Sequence, residues 1–164
     1  MIAMLEEVLR IVEAKQVKCI LIGGWAATIH GSARSTVDVD LVYGRDRENI
    51  LRLAEALQPY SPYLRGAPPG LPFKWDEATI RNGLNFTLTT TKGDIDLLGE
   101  VAGGGGYDQL LPFSTLVKAA DTVCRCVTLE KLIQLKRAAG RPKDLEAIAE
   151  LRALLAERRQ REGE

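Results

Sequence analysis

One histidine, three cysteines and no excess of either charge set the first limits on this chain. A single histidine, His30, leaves a zinc site short of partners. An odd cysteine count (Cys19, Cys124 and Cys126) offers no disulfide framework, so the thiols are expected to be reduced and packed. Lys+Arg and Asp+Glu number 22 each, so no global basic field argues for bulk binding of nucleic acid, and a nucleic-acid adaptor is disfavoured. Nowhere does an apolar run reach the roughly 18 residues of a membrane span. The N-terminal stretch is amphipathic and carries early acids, unlike a signal peptide. The expected location is the cytoplasm. Aromatics make up only 5%, and Trp25 and Trp75 are expected to pack in the core or at its rim rather than to stack on bases.

Within those limits lies an ordinary globular composition, 46% hydrophobic and 27% charged over 164 residues. That is enough for one domain with a real core. Apolar spacing predicts a helix over 2–15, a strand over 18–22, a short helix over 25–30, a polar loop over 31–36 and a strand over 37–43. Asp46 caps a predicted helix to 57. Residues 58–75 are proline-rich and predict an irregular excursion with one short edge strand near Tyr63–Leu64. Asp76 caps a short helix stopped by Gly83, and 84–100 reads as a β-hairpin. Gly103–Gly106 predict a mobile loop, and 123–127 a short strand. Thr128 caps a helix ended by Gly140, and Pro142 opens a last helix carrying Leu145, Ile148, Leu151 and Leu155, which is expected to fray beyond them. The expected fold is α/β (α+β), a mixed sheet with flanking helices and a C-terminal helical pair. It divides into a core over 18–100 and helices over 128–158.

The chemistry concentrates in 20–42, ILIGGWAATIHGSARSTVDVDLV. Asp38 and Asp40 alternate along a strand, so both carboxylates share a face, roughly 7 Å apart along the chain. Val37, Val39 and Leu41 are expected to enter the core. Like charges side by side repel, and a cation between them relieves this. Gly23-Gly24 ends one strand and opens a helix, where free amides and the helix dipole favour an anion. A phosphate cradle beside a metal-binding carboxylate pair points to phosphoryl or nucleotidyl transfer. Two-metal transfer wants a third acid. The hairpin supplies Asp94 and Asp96, of which Asp96 is the deeper and the preferred ligand, Asp94 being nearer the turn and solvated. Ser32, Arg34 and Thr36 lie between cradle and acids, where Arg34 could meet a triphosphate or stay solvated. Lys136, Arg137, Arg141 and Lys143 cluster at a helix corner, a cationic wall or a solvated one. Asp144 suits the dipole of the last helix. His30 is expected to bond a backbone carbonyl.

These residues resemble the DNA-polymerase-β-like nucleotidyltransferase superfamily: Ile22-Gly23-Gly24, then Asp38-Val39-Asp40, then Asp96. With the distal LKRAAGRPKDL they look like the small bacterial nucleotidyltransferases of the AbiEii type, associated with toxin–antitoxin and phage-defence systems. The resemblance implies transfer of a nucleoside monophosphate from an NTP such as ATP to an acceptor: tRNA, protein or a small hydroxyl compound. It implies two Mg²⁺ ions, with Mn²⁺ as an alternative, on Asp38, Asp40 and Asp96. Phosphates would sit at Gly23 and Gly24, and Lys136 and Asp144 match further functional positions of the toxin-type relatives. One departure is that Gly24-Trp25 stands where many members have Gly-Ser, so a phosphate-binding hydroxyl is absent or comes from Ser32. The alternative is the same fold without catalysis, acting as an antitoxin or regulatory partner of a cognate protein.

Overall fold

A computed structural model describes residues 2–163 of the chain. Its centre is a seven-stranded mixed sheet. In chain order the elements are α1 (Ile2–Ala14), β1 (Cys19–Ile22), α2 (Gly23–Ile29), β2 (Val39–Tyr43), α3 (Arg47–Leu57), β3 (Tyr63–Leu64), α4 (Glu77–Asn82) and β4 (Asn85–Thr90). They continue with β5 (Gly93–Leu98), α5 (Tyr107–Leu110), β6 (Ser114–Ala119), β7 (Thr122–Val127), α6 (Leu129–Ala139) and α7 (Leu145–Glu162). The strand order is β3-β4-β5-β2-β1-β7-β6. The β2–β5 and β1–β7 pairs are parallel, and the others antiparallel.

The central strands explain themselves by alternation. Leu21 pairs with Leu41 and Ile22 with Asp40 across β1 and β2, so the two sets take opposite faces. Leu41 lies under α1, alongside Leu9 and Val12. Asp40 lies on the other face, under Leu132, Leu135 and Lys136 of α6. The α2 helix packs on β1, β2 and α6, and α6 on α7. Both faces are therefore covered, and β1, β2 and β5 supply fully buried Ile20, Leu21, Val39, Leu41, Ile95 and Leu97.

Helix ends follow their caps. The Asp46 carboxylate accepts from Asn49 N–H, that of Asp76 from Thr79 N–H, and the Thr128 hydroxyl from Lys131 N–H. Gly140 closes α6 at φ +65°, the left-handed conformation glycine adopts without strain. The edge strand at Tyr63–Leu64 pairs with β4 as expected.

Several expectations are corrected. Val37 precedes β2 and is exposed, because pairing with β1 and β5 begins only at Val39–Asp40. The strand at 122–127 is one arm of a hairpin with β6, which the polar Ser114, Thr115 and Lys118 hide from a hydrophobicity reading. Gly103–Gly106 form an ordered turn rather than a free loop. Val101 N–H bonds Gly105 C=O, and Gly104 is buried against Leu135. A Cβ on Gly103 or Gly104 would strike Ala138 or Leu135 of α6, so these glycines serve close packing. Leu145 is exposed, and α7 stays helical to Glu162 rather than fraying.

Candidate active site

The row Ile22–Asp40–Asp96 runs across β1, β2 and β5 by direct pairing, and β4 continues it with Thr87. Because Val39 pairs Ile95, Asp38 stands beside Asp94 one step along. Four carboxylates thus form a two-by-two grid on one face. The parallel β2–β5 register brings Asp40 and Asp96 together although 55 residues separate them in sequence.

Burial pushes the Asp40 carboxyl up to about 7, reinforced by the charge of Asp96, by a hydrogen bond with it and by the charge of Asp38, while Lys136 pulls the other way. Asp40 Oδ1 is buried without a hydrogen-bond partner. The N-terminus of α2 abuts this carboxylate. A Cβ on Gly23, which sits at φ +72°, would lie 2.0 Å from Asp40 Oδ2. A Cβ on Gly24 would lie 2.3 Å from Thr36 Oγ1. The two glycines therefore allow Asp40 and Thr36 to press against the helix start, where no side chain caps the free amides.

Two hollows flank Lys136. One, of about 380 Å³, is lined by Asp40, Asp96, Glu100, Arg141 and the apolar Leu98, Val101, Leu132 and Leu135. The other, of about 180 Å³, is lined by Gly24, Ser32, Arg34, Ser35, Thr36, Lys143 and Asp144. Lys136 lines both. Arg137 faces a different cleft, between α6 and α7, and is not part of this cationic wall.

The remaining expected residues have structural partners. Ser32 Oγ donates to Glu150 Oε1 at 2.6 Å, and Arg34 Nη2 donates to Glu146 Oε2 at 3.2 Å, so the loop is tied to α7. Arg34 remains exposed at the rim of the smaller hollow while paired with Glu146. Asp144 is buried, and Arg141 Nε donates to its Oδ2 at 2.7 Å. The ring of His30 bonds Val127 C=O at 2.7 Å, away from the carboxylates.

One residue at the centre was missed from sequence. Arg65, just past β3, lies 2.9 Å from Asp96 Oδ1, 3.4 Å from Asp94 Oδ2 and 3.5 Å from Asp38 Oδ2. Asp94 is therefore ion-paired rather than merely solvated. The signal was an arginine abutting a short edge strand. Its row is fixed only by β3–β4 pairing, which Arg65 N–H extends by bonding Thr87 C=O at 3.0 Å.

Among the described residues, no three acidic, histidine or cysteine side chains form a ready-made ion cage. Asp38 is turned towards Arg65. Yet a facing carboxylate pair with two buried oxygens that lack a hydrogen-bond partner, Asp40 Oδ1 and Asp96 Oδ1, is a donor set suited to a hard divalent cation.

No family model matches the chain. No curated protein matches it either. Solved structures do. The chain is similar to lincosamide antibiotic adenylyltransferase LnuA, in a lincomycin-bound structure, with TM-score 0.61, 15% identity, and 93% of this chain and 96% of that one covered. A Thermotoga maritima protein provisionally described as a nucleotidyltransferase, TM1012, matches with TM-score 0.58 at 15% identity, over 93% of this chain and 91% of that one. The antibiotic-resistance factor ANT(2'')-Ia matches with TM-score 0.56 at 16% identity, over 99% of this chain and 92% of that one. The chain has the nucleotidyltransferase fold. At such identities the likeness carries the fold and nothing finer.

Proposed function

We propose that this chain transfers a nucleoside monophosphate from an NTP to a hydroxyl acceptor in a metal-dependent reaction. The observation that carries the reading is the Asp40–Asp96 pair, facing across parallel strands at the start of α2 with a buried, unpartnered oxygen. Asp38, Asp40 and Asp96 would hold Mg²⁺, which when bound neutralises phosphate charge. The smaller hollow, with Gly24, Thr36, Lys136 and Lys143, receives the triphosphate tail. The larger cleft, with its apolar wall, receives the acceptor. Asp96 takes the acceptor's hydroxyl proton. The acceptor oxygen then bonds to the α-phosphorus, the bond from that phosphorus to the bridging oxygen breaks, and pyrophosphate leaves with Lys136 beside it.

A small hydroxyl compound is the acceptor we place first. The cleft holds about 380 Å³, and the neighbour described as a lincosamide adenylyltransferase matches over 93% of this chain and 96% of its own. Transfer to tRNA or protein, in a toxin–antitoxin or defence setting of the AbiEii type, is the alternative acceptor class. The test is calorimetry with ATP, GTP, CTP and UTP plus Mg²⁺, followed by α-³²P transfer onto small hydroxyl compounds, total tRNA and total protein. Label on a small compound is the expected result. Label on tRNA or protein alone would move the reading to the toxin class. A folded sample that binds none of the four nucleotides would remove the enzyme. One observation favours a non-catalytic regulatory module instead: Arg65 already engages three of the four carboxylates. In that case neither nucleotide binding nor labelling is expected.

A further inference from the structure

Arg65 reaches the carboxylate grid from the outer edge of the sheet. Its row, through Thr87, is that of Asp96 and Asp40. The guanidinium spreads over Asp96, Asp94 and Asp38 at 2.9, 3.4 and 3.5 Å and leaves out Asp40. A planar fork of five donors can face several carboxylates at once, which a point charge cannot. Its alignment is loose: Nε is buried with no hydrogen-bond partner, and the contact to Asp94 is one of charge alone. What is firm is its tether. Nη2 donates to Leu88 C=O at 2.7 Å, while the backbone bonds Thr87. The group is thus held at the grid mainly by electrostatics and anchored so that it remains beside it after release.

We propose that Arg65 is a built-in countercation of the Asp38–Asp94–Asp96 grid and competes with a divalent ion for those carboxylates, so that the ion enters only as the guanidinium lets go. The inference rests on the metal-dependent reading of the site, though not on any nucleotide. It makes the nucleotide-free protein a weak metal binder by construction and keeps its acids from repelling one another until the ion arrives.

The test is Mn²⁺ binding to the full chain without nucleotide, followed by the loss of the free-ion electron paramagnetic resonance signal and by calorimetry. Arg65→Met is expected to bind Mn²⁺ about tenfold more tightly than the parent, since the competing charge is gone. Arg65→Lys keeps the charge but cannot span three carboxylates, and is expected to tighten binding as well, by less. Arg52→Met, a half-buried change on α3 whose partners are Glu48 and Gln16 rather than the grid, is expected to leave affinity unchanged. Equal or weaker binding by Arg65→Met, or no Mn²⁺ binding by any variant, overturns the proposal. Tightening in Arg65→Met with Arg65→Lys identical to the parent also overturns it, because net charge alone would then be responsible. If Arg65→Met fails to fold, Arg65→Lys decides between the same outcomes. Failure of nucleotide transfer in every variant, with this Mn²⁺ pattern intact, would sink the enzyme and leave the countercation standing.

Discussion

Asp40 carries a proton in the folded, metal-free protein at a pH where it would have lost it when unfolded. The sign follows from that. The folded pKa lies above the unfolded value of 3.8, so the folded state binds the proton more tightly. Stability from this group is fully present below about pH 4, falls as pH rises towards 7, and is flat above. The whole effect is at most about 4 kcal/mol, at 1.36 kcal/mol per pKa unit. Asp40→Asn should therefore raise the melting temperature of the metal-free protein at pH 8, leave it nearly unchanged at pH 4, and abolish Mn²⁺ binding; differential scanning calorimetry across pH checks the first two. A large loss of stability at pH 8 would mark the acid as structural. Gly23→Ala should cost at least about 2 kcal/mol, because a side chain at φ +72° is strained and its Cβ meets Asp40 Oδ2. Gly24→Ala, though at an ordinary φ, meets Thr36 Oγ1 at 2.3 Å and Thr36 Cβ at 2.6 Å, so turning the hydroxyl does not relieve the clash, the loop must shift, and the change should cost about 1–3 kcal/mol in urea unfolding.

At the scale of elements, the buried Asn49 of α3 joins three chain segments. Its side chain accepts from Lys18 N–H at 2.6 Å and donates to Lys18 C=O and Gly44 C=O at 3.0 and 2.7 Å. Asn49→Ala leaves two backbone groups at the ends of β1 and β2, Lys18 N–H and Gly44 C=O, without partners, while Lys18 C=O keeps Gly44 N–H, and should cost about 2–3 kcal/mol by chemical denaturation. This residue illustrates what was legible in the sequence. The caps Asp46, Asp76 and Thr128, the stop at Gly140 and the hairpin at 84–100 rest on local chemistry, and they were readable. Asn49 carried no local signal of its role, because its partners lie on other elements. For the same reason β6, whose alternation is polar, and α5, only four residues long, left little periodic signal. In the site, the two-residue spacing of Asp38 and Asp40 announced a shared face. The grid with Asp94, and the arginine over it, depended on strand register, which sequence spacing does not encode.

At the scale of the whole molecule, α7, packed on α6, holds the loop before β2. Glu150 accepts from the Ser32 hydroxyl and Ala33 N–H, and Glu146 and Glu150 pair with Arg34. Exposed pairs of this kind add little to global stability but can order a segment. Glu150→Ala should leave the melting temperature almost unmoved and speed amide exchange across 32–36, measured by deuterium uptake. Unchanged exchange there would mean the loop is held from the Gly24–Thr36 side. The parallel pairing of Leu21 in β1 with Cys126 in β7 has a further consequence, in time rather than in energy. More than a hundred residues separate these partners, so β1 stays open on one side while the chain between them is made. At about 5–20 residues per second that wait lasts roughly 5–20 s on the ribosome. During it the Asp40 strand is already translated but Lys136 is not. Chaperones that shield bare strand edges would then meet a nascent chain whose carboxylate grid can already be assembled before its helical cover exists.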